Sequence, residues 1–175
     1  MEQQNIQLKH ALVYGAAIGA IIAIYQLLLY FFGLFNSEAL GYLVHVLMIV
    51  GLFITIRNFR DKVFTGTLTY GKAFGLGLLT SVFAGIVIAI FTYILYKSDP
   101  GMLEEMIILN QERLMDRGIP DDQIEMQSSL FEQFLSPGVL AFATVFSFAF
   151  WGAIFSLVLS AILRRRENPL ADNKS

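Results

Sequence analysis

The chain has no cysteine, and that absence removes several chemistries at once. Disulfides, iron–sulfur clusters, thiolate nucleophiles and lipid attachment at cysteine are all excluded. Charge is scarce too. Asp, Glu, Lys and Arg make up 15% of the residues, against about 25% in an ordinary soluble domain. Histidine is limited to His10 and His45. The scarcity of charge is uneven, because four stretches, 11–37, 39–56, 73–96 and 133–163, contain none at all.

What fills those stretches is apolar matter, 56% of the chain as a whole and rich in phenylalanine. A helix needs roughly 20 such residues to cross a bilayer core of about 30 Å. Lipid offers the backbone no hydrogen bonds, so each run is expected to be helical. The first run is far longer than the apolar part of a signal peptide, about 7–15 residues, and Asn36, Ser37 and Glu38 offer no cleavage site after it. It is expected to be retained. The expected fold is therefore all-α, an integral membrane four-helix bundle forming a single membrane domain over 1–175. Its spans lie at about 11–35, 40–56, 73–96 and 138–163.

Charge sets the orientation. Lys9, Arg57, Arg60, Lys62, Lys72, Arg164, Arg165, Arg166 and Lys174 fall on one side of such a bundle, leaving Lys97, Arg113 and Arg117 on the other. Acidic residues show the opposite bias, with Glu38 and the cluster from Asp99 to Glu132 on the second side. Basic flanks stay inside, so both termini are expected in the cytoplasm. The Arg164–Arg166 run reads as a stop and orientation signal beside an anionic leaflet.

The segment 97–136 is the main polar part and is expected to form two amphipathic helices, on the outer membrane surface or over the bundle mouth. Asp99 with Pro100 predicts a helix start, an N-cap oxygen followed by proline at the first helical position. Leu103, Met106, Ile107, Asn110 and Leu114 then share one face. Gly118 ends that helix and Pro120 with Asp121 begins the next, in which Ile124, Phe131, Phe134 and Leu135 share a side. Ser136 and Pro137 repeat the cap-and-proline start before the last span.

Within the spans, small residues predict where helices approach closely. The third carries Gly77, Ser81, Gly85 and Ala89, the fourth Gly152, Ser156 and Ser160, and the first Gly15 and Gly19. Packing inside one bundle is the plain reading of these stripes, and a homo-oligomer contact the alternative. Gln26 and His45 are polar groups at membrane depth, which marks them as functional candidates. Both are expected in the outer half of the hairpin of the first two spans, where a mutual hydrogen bond would satisfy both; a proton-relay or ligand role for His45 is the sharper alternative, and a histidine at the lipid interface the third. No Asp, Glu, Lys or Arg accompanies them, which weakens ion-coupled transport.

Other motifs lead nowhere. Gly66 to Lys72 matches a phosphate-binding loop up to its last position, where Ala73 replaces the metal-holding hydroxyl, and a membrane helix follows. Asp121, Asp122 and Glu125 lack EF-hand spacing, and the two histidines are far apart, so no metal site, cofactor or catalytic set is expected. No basic aromatic surface suits nucleic acid.

The loop and start of the third span read Gly66-Thr67-Leu68-Thr69-Tyr70-Gly71-Lys72-Ala73-Phe74, then Gly75-Leu76-Gly77; Tyr93 to Tyr96 and Ser98-Asp99-Pro100 follow after it. This pattern resembles a family of bacterial membrane proteins known as domain of unknown function 4199, over nearly the whole chain. The resemblance implies a four-helix inner-membrane protein and no catalytic residues. The expected function is thus non-catalytic, through contacts with lipid or with an envelope protein partner. A small oligomeric transporter or channel is the alternative.

Overall fold

The computed structural model describes residues 2–63 and 66–164. Arg165, Arg166 and Lys174, which the charge count assigns to the basic side, lie outside them. Among the described residues there are six helices: α1 (Glu2–Phe31), α2 (Glu38–Val63), α3 (Tyr70–Ser98), α4 (Gly101–Asp116), α5 (Asp121–Phe134) and α6 (Pro137–Leu163). Four of these, α1, α2, α3 and α6, are long and apolar enough to cross a membrane.

The long helices outrun the expected spans. They hold 26 to 30 residues, which at 1.5 Å per residue is about 39–45 Å. That matches a bilayer with its headgroups, about 40–45 Å, better than the core alone. Charge ends the apolar run but leaves the hydrogen-bond ladder free to continue. So α1 begins at Glu2 where a polar lead was expected, and α2 takes in Arg57, Arg60, Asp61 and Lys62 from the expected loop. Arg57 and Asp61 pair at 3.7 Å one turn apart, and the basic residues suit the negative end of the helix dipole.

At its other end α1 stops earlier than expected, at Phe31. Gly33 adopts φ +67°. Its N–H donates to the Tyr30 carbonyl at 3.0 Å while the Leu34 N–H reaches back to Leu29 at 2.8 Å. This is the Schellman arrangement, which needs a left-handed residue at that point. Gly118 (φ +72°) ends α4 with the same pair of bonds, from Gly118 to Met115 and from Ile119 to Leu114.

α3 is the central helix, packed most closely against α6 and then α1. Glycine makes both contacts possible. A Cβ at Gly77 would strike Ser156, one at Gly152 would strike Ser81, and one at Gly85 would come within 2.8 Å of the Phe148 Cβ. The α3–α6 register is therefore antiparallel with one meeting point per turn. On the other flank, Gly15 lies against Thr80 and Phe83, and Gly19 against Ala84 and Val87, so α1 runs parallel to α3. Ala89 and Ser160 are also buried. α2 covers this slab more loosely, through Gly51 on Ile18, Met48 near Gly152 and Ile56 near Gly77. The shared core centres on Ile22, Leu52, Ile56, Phe59, Leu76 and Ile88.

Hydroxyls inside the slab mostly return their protons to their own helix. Thr55, Thr80 and Ser81 donate to the carbonyl four residues earlier at 2.8–2.9 Å, a local solution that spares a second helix. The outer surface is apolar, with Phe142, Phe146, Phe150 and Ile162 all exposed. Apolar exposure on this scale is foreign to a soluble monomer and natural in lipid.

α4 and α5 form a hairpin near the α1–α2 turn. Met102 packs with Leu95 and Tyr96, and Arg113 pairs with Glu38 at 2.9 Å. Asp99 does not cap α4 as expected: the helix starts at Gly101, and the Asp99 carboxylate accepts the Tyr30 hydroxyl at 2.9 Å instead. On α5, Ile124 and Ser128 are buried and Phe131 and Leu135 half-buried, whereas Phe134 departs from the expected face and is exposed. It aligns at four-residue spacing with Leu130 and Met126. Ser136 does cap α6, its Oγ accepting from the Val139 N–H at 3.3 Å, with Pro137 in the first turn.

Candidate functional site

The loose fit of α2 has a local consequence. At the end away from the turn, α2 and α6 are tied by Arg60, which donates to the Leu163 carbonyl at 3.3 Å. Nearer the turn they part, and a cavity of about 280 Å³ opens between α1, α2 and α6. Its apolar wall includes Leu29, Phe35, Val44, Met48 and Phe148, and its polar lining is Gln26, His45, Ser147 and Trp151. His45 lies seven residues beyond Glu38, so the cavity sits roughly 10 Å below the start of α2.

Each polar group is held by ordinary helix packing. Tyr25 donates its hydroxyl to the Leu40 carbonyl at 2.8 Å and fixes α1 to the start of α2. That leaves the neighbouring Gln26 turned to the cavity. The His45 ring stands edge-on to Trp151 at 5.1 Å and to Phe155 at 6.2 Å, and Trp151 stacks on Phe155 at 5.7 Å. These aromatic contacts set the imidazole plane without using its nitrogens.

Gln26 and His45 therefore reach one site, but the expected hydrogen bond between them is not made. Among the described residues neither side chain has a hydrogen-bond partner, and the His45 Nδ1 is fully shielded from solvent. Both face the cavity rather than each other. Ser147 and Trp151 were not singled out from the sequence. A signal existed: Trp151 is the single tryptophan and lies near the middle of α6, whereas tryptophan in membrane helices favours the ends.

No Asp, Glu, Lys or Arg lines the cavity, and among the described residues no three His, Asp or Glu converge on one point. The arrangement suits hydrogen bonding to an uncharged molecule. His10 is placed apart, stacked on Tyr14 at 4.4 Å and against Phe59 at 4.9 Å. The Asn58 amide donates to the Tyr14 hydroxyl beside it at 3.0 Å. The loop that imitates a phosphate site follows a helix, α2, and Lys72 stands in the first turn of α3. The remaining sequence-marked residues, Gly77, Ser81, Gly85, Ala89, Gly152, Ser156 and Ser160, lie outside this cavity in the packed interior.

No curated protein and no solved structure matches the chain. A family model described as "Protein of unknown function (DUF4199)" matches residues 13–165, which take in most of α1 and all of α2 to α6. The chain, with its four long apolar helices, is a member of that family of proteins of unknown function.

Proposed function

We propose that this chain is a non-catalytic protein of the bacterial cytoplasmic membrane, with both termini in the cytoplasm, that acts through contacts its α4–α5 hairpin makes with lipid at the outer surface. The observation that carries this reading is a stripe on α5. Met126, Leu130 and Phe134 are 59%, 50% and 67% exposed. They are distinct from the side that holds Ile124 against the rest of the chain, and the acidic residues Asp121, Glu125 and Glu132 point elsewhere, while Asp122 stands at the head of the stripe in the first turn. A helix with an apolar face and a charged face lies in a membrane interface. The basic bias of the opposite end supports the orientation.

The oligomeric transporter reading draws on the small-residue stripes. It also draws on Gln26 and His45; within one chain the stripes of α3 and α6 already meet each other, so packing inside one bundle accounts for them.

The test uses single cysteines, for which this cysteine-free chain is a ready background. In intact cells, a membrane-impermeant maleimide is expected to label Glu125→Cys and Glu132→Cys rapidly, and Met126→Cys, Leu130→Cys and Phe134→Cys at least several-fold more slowly. Equal labelling of both faces in the purified protein reconstituted in vesicles would overturn the lipid contact. Protection in cells but not in vesicles would point to a protein partner instead.

A further inference from the structure

We propose that the cavity between α1, α2 and α6 binds one uncharged lipid bearing a hydroxyl group, with its chain against Leu29, Val44 and Met48 and its hydroxyl held by His45 and Gln26. This goes beyond the hairpin reading and does not depend on it.

Three observations carry the assignment. The first is unused hydrogen-bonding capacity. Buried polar atoms are ordinarily partnered, yet among the described residues the shielded His45 Nδ1 has no hydrogen-bond partner, and the half-buried Gln26 and the exposed Ser147 line the same cavity. The second is the absence of charge in the lining, which leaves a phosphate or an ammonium without a counter-ion at membrane depth. A hydroxyl meets the need better than a carbonyl. It both donates and accepts, so it fits a donor or an acceptor nitrogen of His45 and either end of the Gln26 amide.

The third observation is access. At about 280 Å³ the cavity is near the lower bound of ligand pockets, roughly 300–1,000 Å³, so part of a long ligand must lie outside it. Its rim residues Gly41, Ser147 and Trp151 are exposed, and so are Leu43 and Val46 on α2 and Phe146 and Phe150 on α6. A molecule entering here comes from the apolar layer around the bundle, which selects a lipid over a water-soluble ligand.

The lone tryptophan makes the experiment direct, because Trp151 lines the cavity. The full chain is reconstituted in phosphatidylcholine vesicles, and Trp151 fluorescence is followed as diacylglycerol with brominated chains is added. Quenching is expected to saturate at a low mole fraction. Brominated phosphatidylcholine should quench only in proportion to its amount. The double variant Gln26→Leu with His45→Leu is expected to raise the half-saturating fraction about tenfold, the loss of two ordinary hydrogen bonds.

A second variant guards against misfolding of the first. A Cβ at Gly41 meets nothing within 4 Å, so the side chain of Gly41→Leu starts from open space at the cavity mouth and is expected to abolish saturation. Quenching that never saturates, or that both brominated lipids produce alike, would overturn the proposal. So would saturation that survives both variants. None of these outcomes bears on the labelling of α5.

Discussion

His45 works against the fold that holds it. A shielded nitrogen without a partner forfeits about 1–3 kcal/mol, and its neighbours Trp151 and Phe155 offer only ring contacts. His45→Phe keeps those contacts and removes the orphaned group. It is expected to stabilise the unliganded protein by about 1–2 kcal/mol, read as a higher unfolding temperature in detergent. A drop would mean that the imidazole has a partner. The glycines divide by sign in the same assay. Gly77→Val and Gly152→Val drive methyl groups into Ser156 and Ser81 and should each cost about 1–3 kcal/mol. Gly41→Ala, in open space on a helix, should gain up to about 1 kcal/mol. At this scale the sequence could place Gln26 and His45 at membrane depth, because position along an apolar run gives depth. It could not foresee that they miss each other, because that depends on how α1 and α2 are turned and spaced around the cavity.

Helix ends show what local signals can and cannot carry. Ser136 with Pro137 caps α6, and Gly118 ends α4, as their chemistry dictates. Asp99 with Pro100 gives an equally good local signal, yet the carboxylate is taken by Tyr30, 69 positions away in sequence. A tertiary partner outcompeted the backbone, and nothing local announces it. The hairpin of α4 and α5 depends on such long-range ties. Tyr30→Phe is expected to speed limited proteolysis within the hairpin by loosening the start of α4. Arg113→Ala should leave the rate nearly unchanged, since its pair with Glu38 is exposed on both sides and such pairs contribute at most about 1 kcal/mol. The apolar stripe of α5 was obscured for a related reason: Phe134 fits either side of the helix by spacing, and only the packing of Ile124 and Ser128 decides between them.

The four-helix architecture was the most legible feature of the molecule, because a bilayer imposes one stringent requirement, about 20 residues without charge. The spacing of small residues names faces but not partners, so the central place of α3 had to come from the structure. The proposed orientation carries its own test. A fluorescent protein fused after Ser175 should fold and fluoresce, while alkaline phosphatase fused there should stay inactive; the reverse would invert the bundle. The meeting of α3 with α6 has a further consequence, in the terms of inheritance. Glycine faces serine twice, with the roles exchanged: Gly77 against Ser156, and Gly152 against Ser81. The available space belongs to each couple rather than to either residue. Descendants of this chain can therefore trade the two, serine for glycine on one helix with glycine for serine on the other. A larger residue on either side is tolerated only when its opposite number shrinks. Variation at these positions should arrive in matched pairs, each pair a written record of how closely two helices lie.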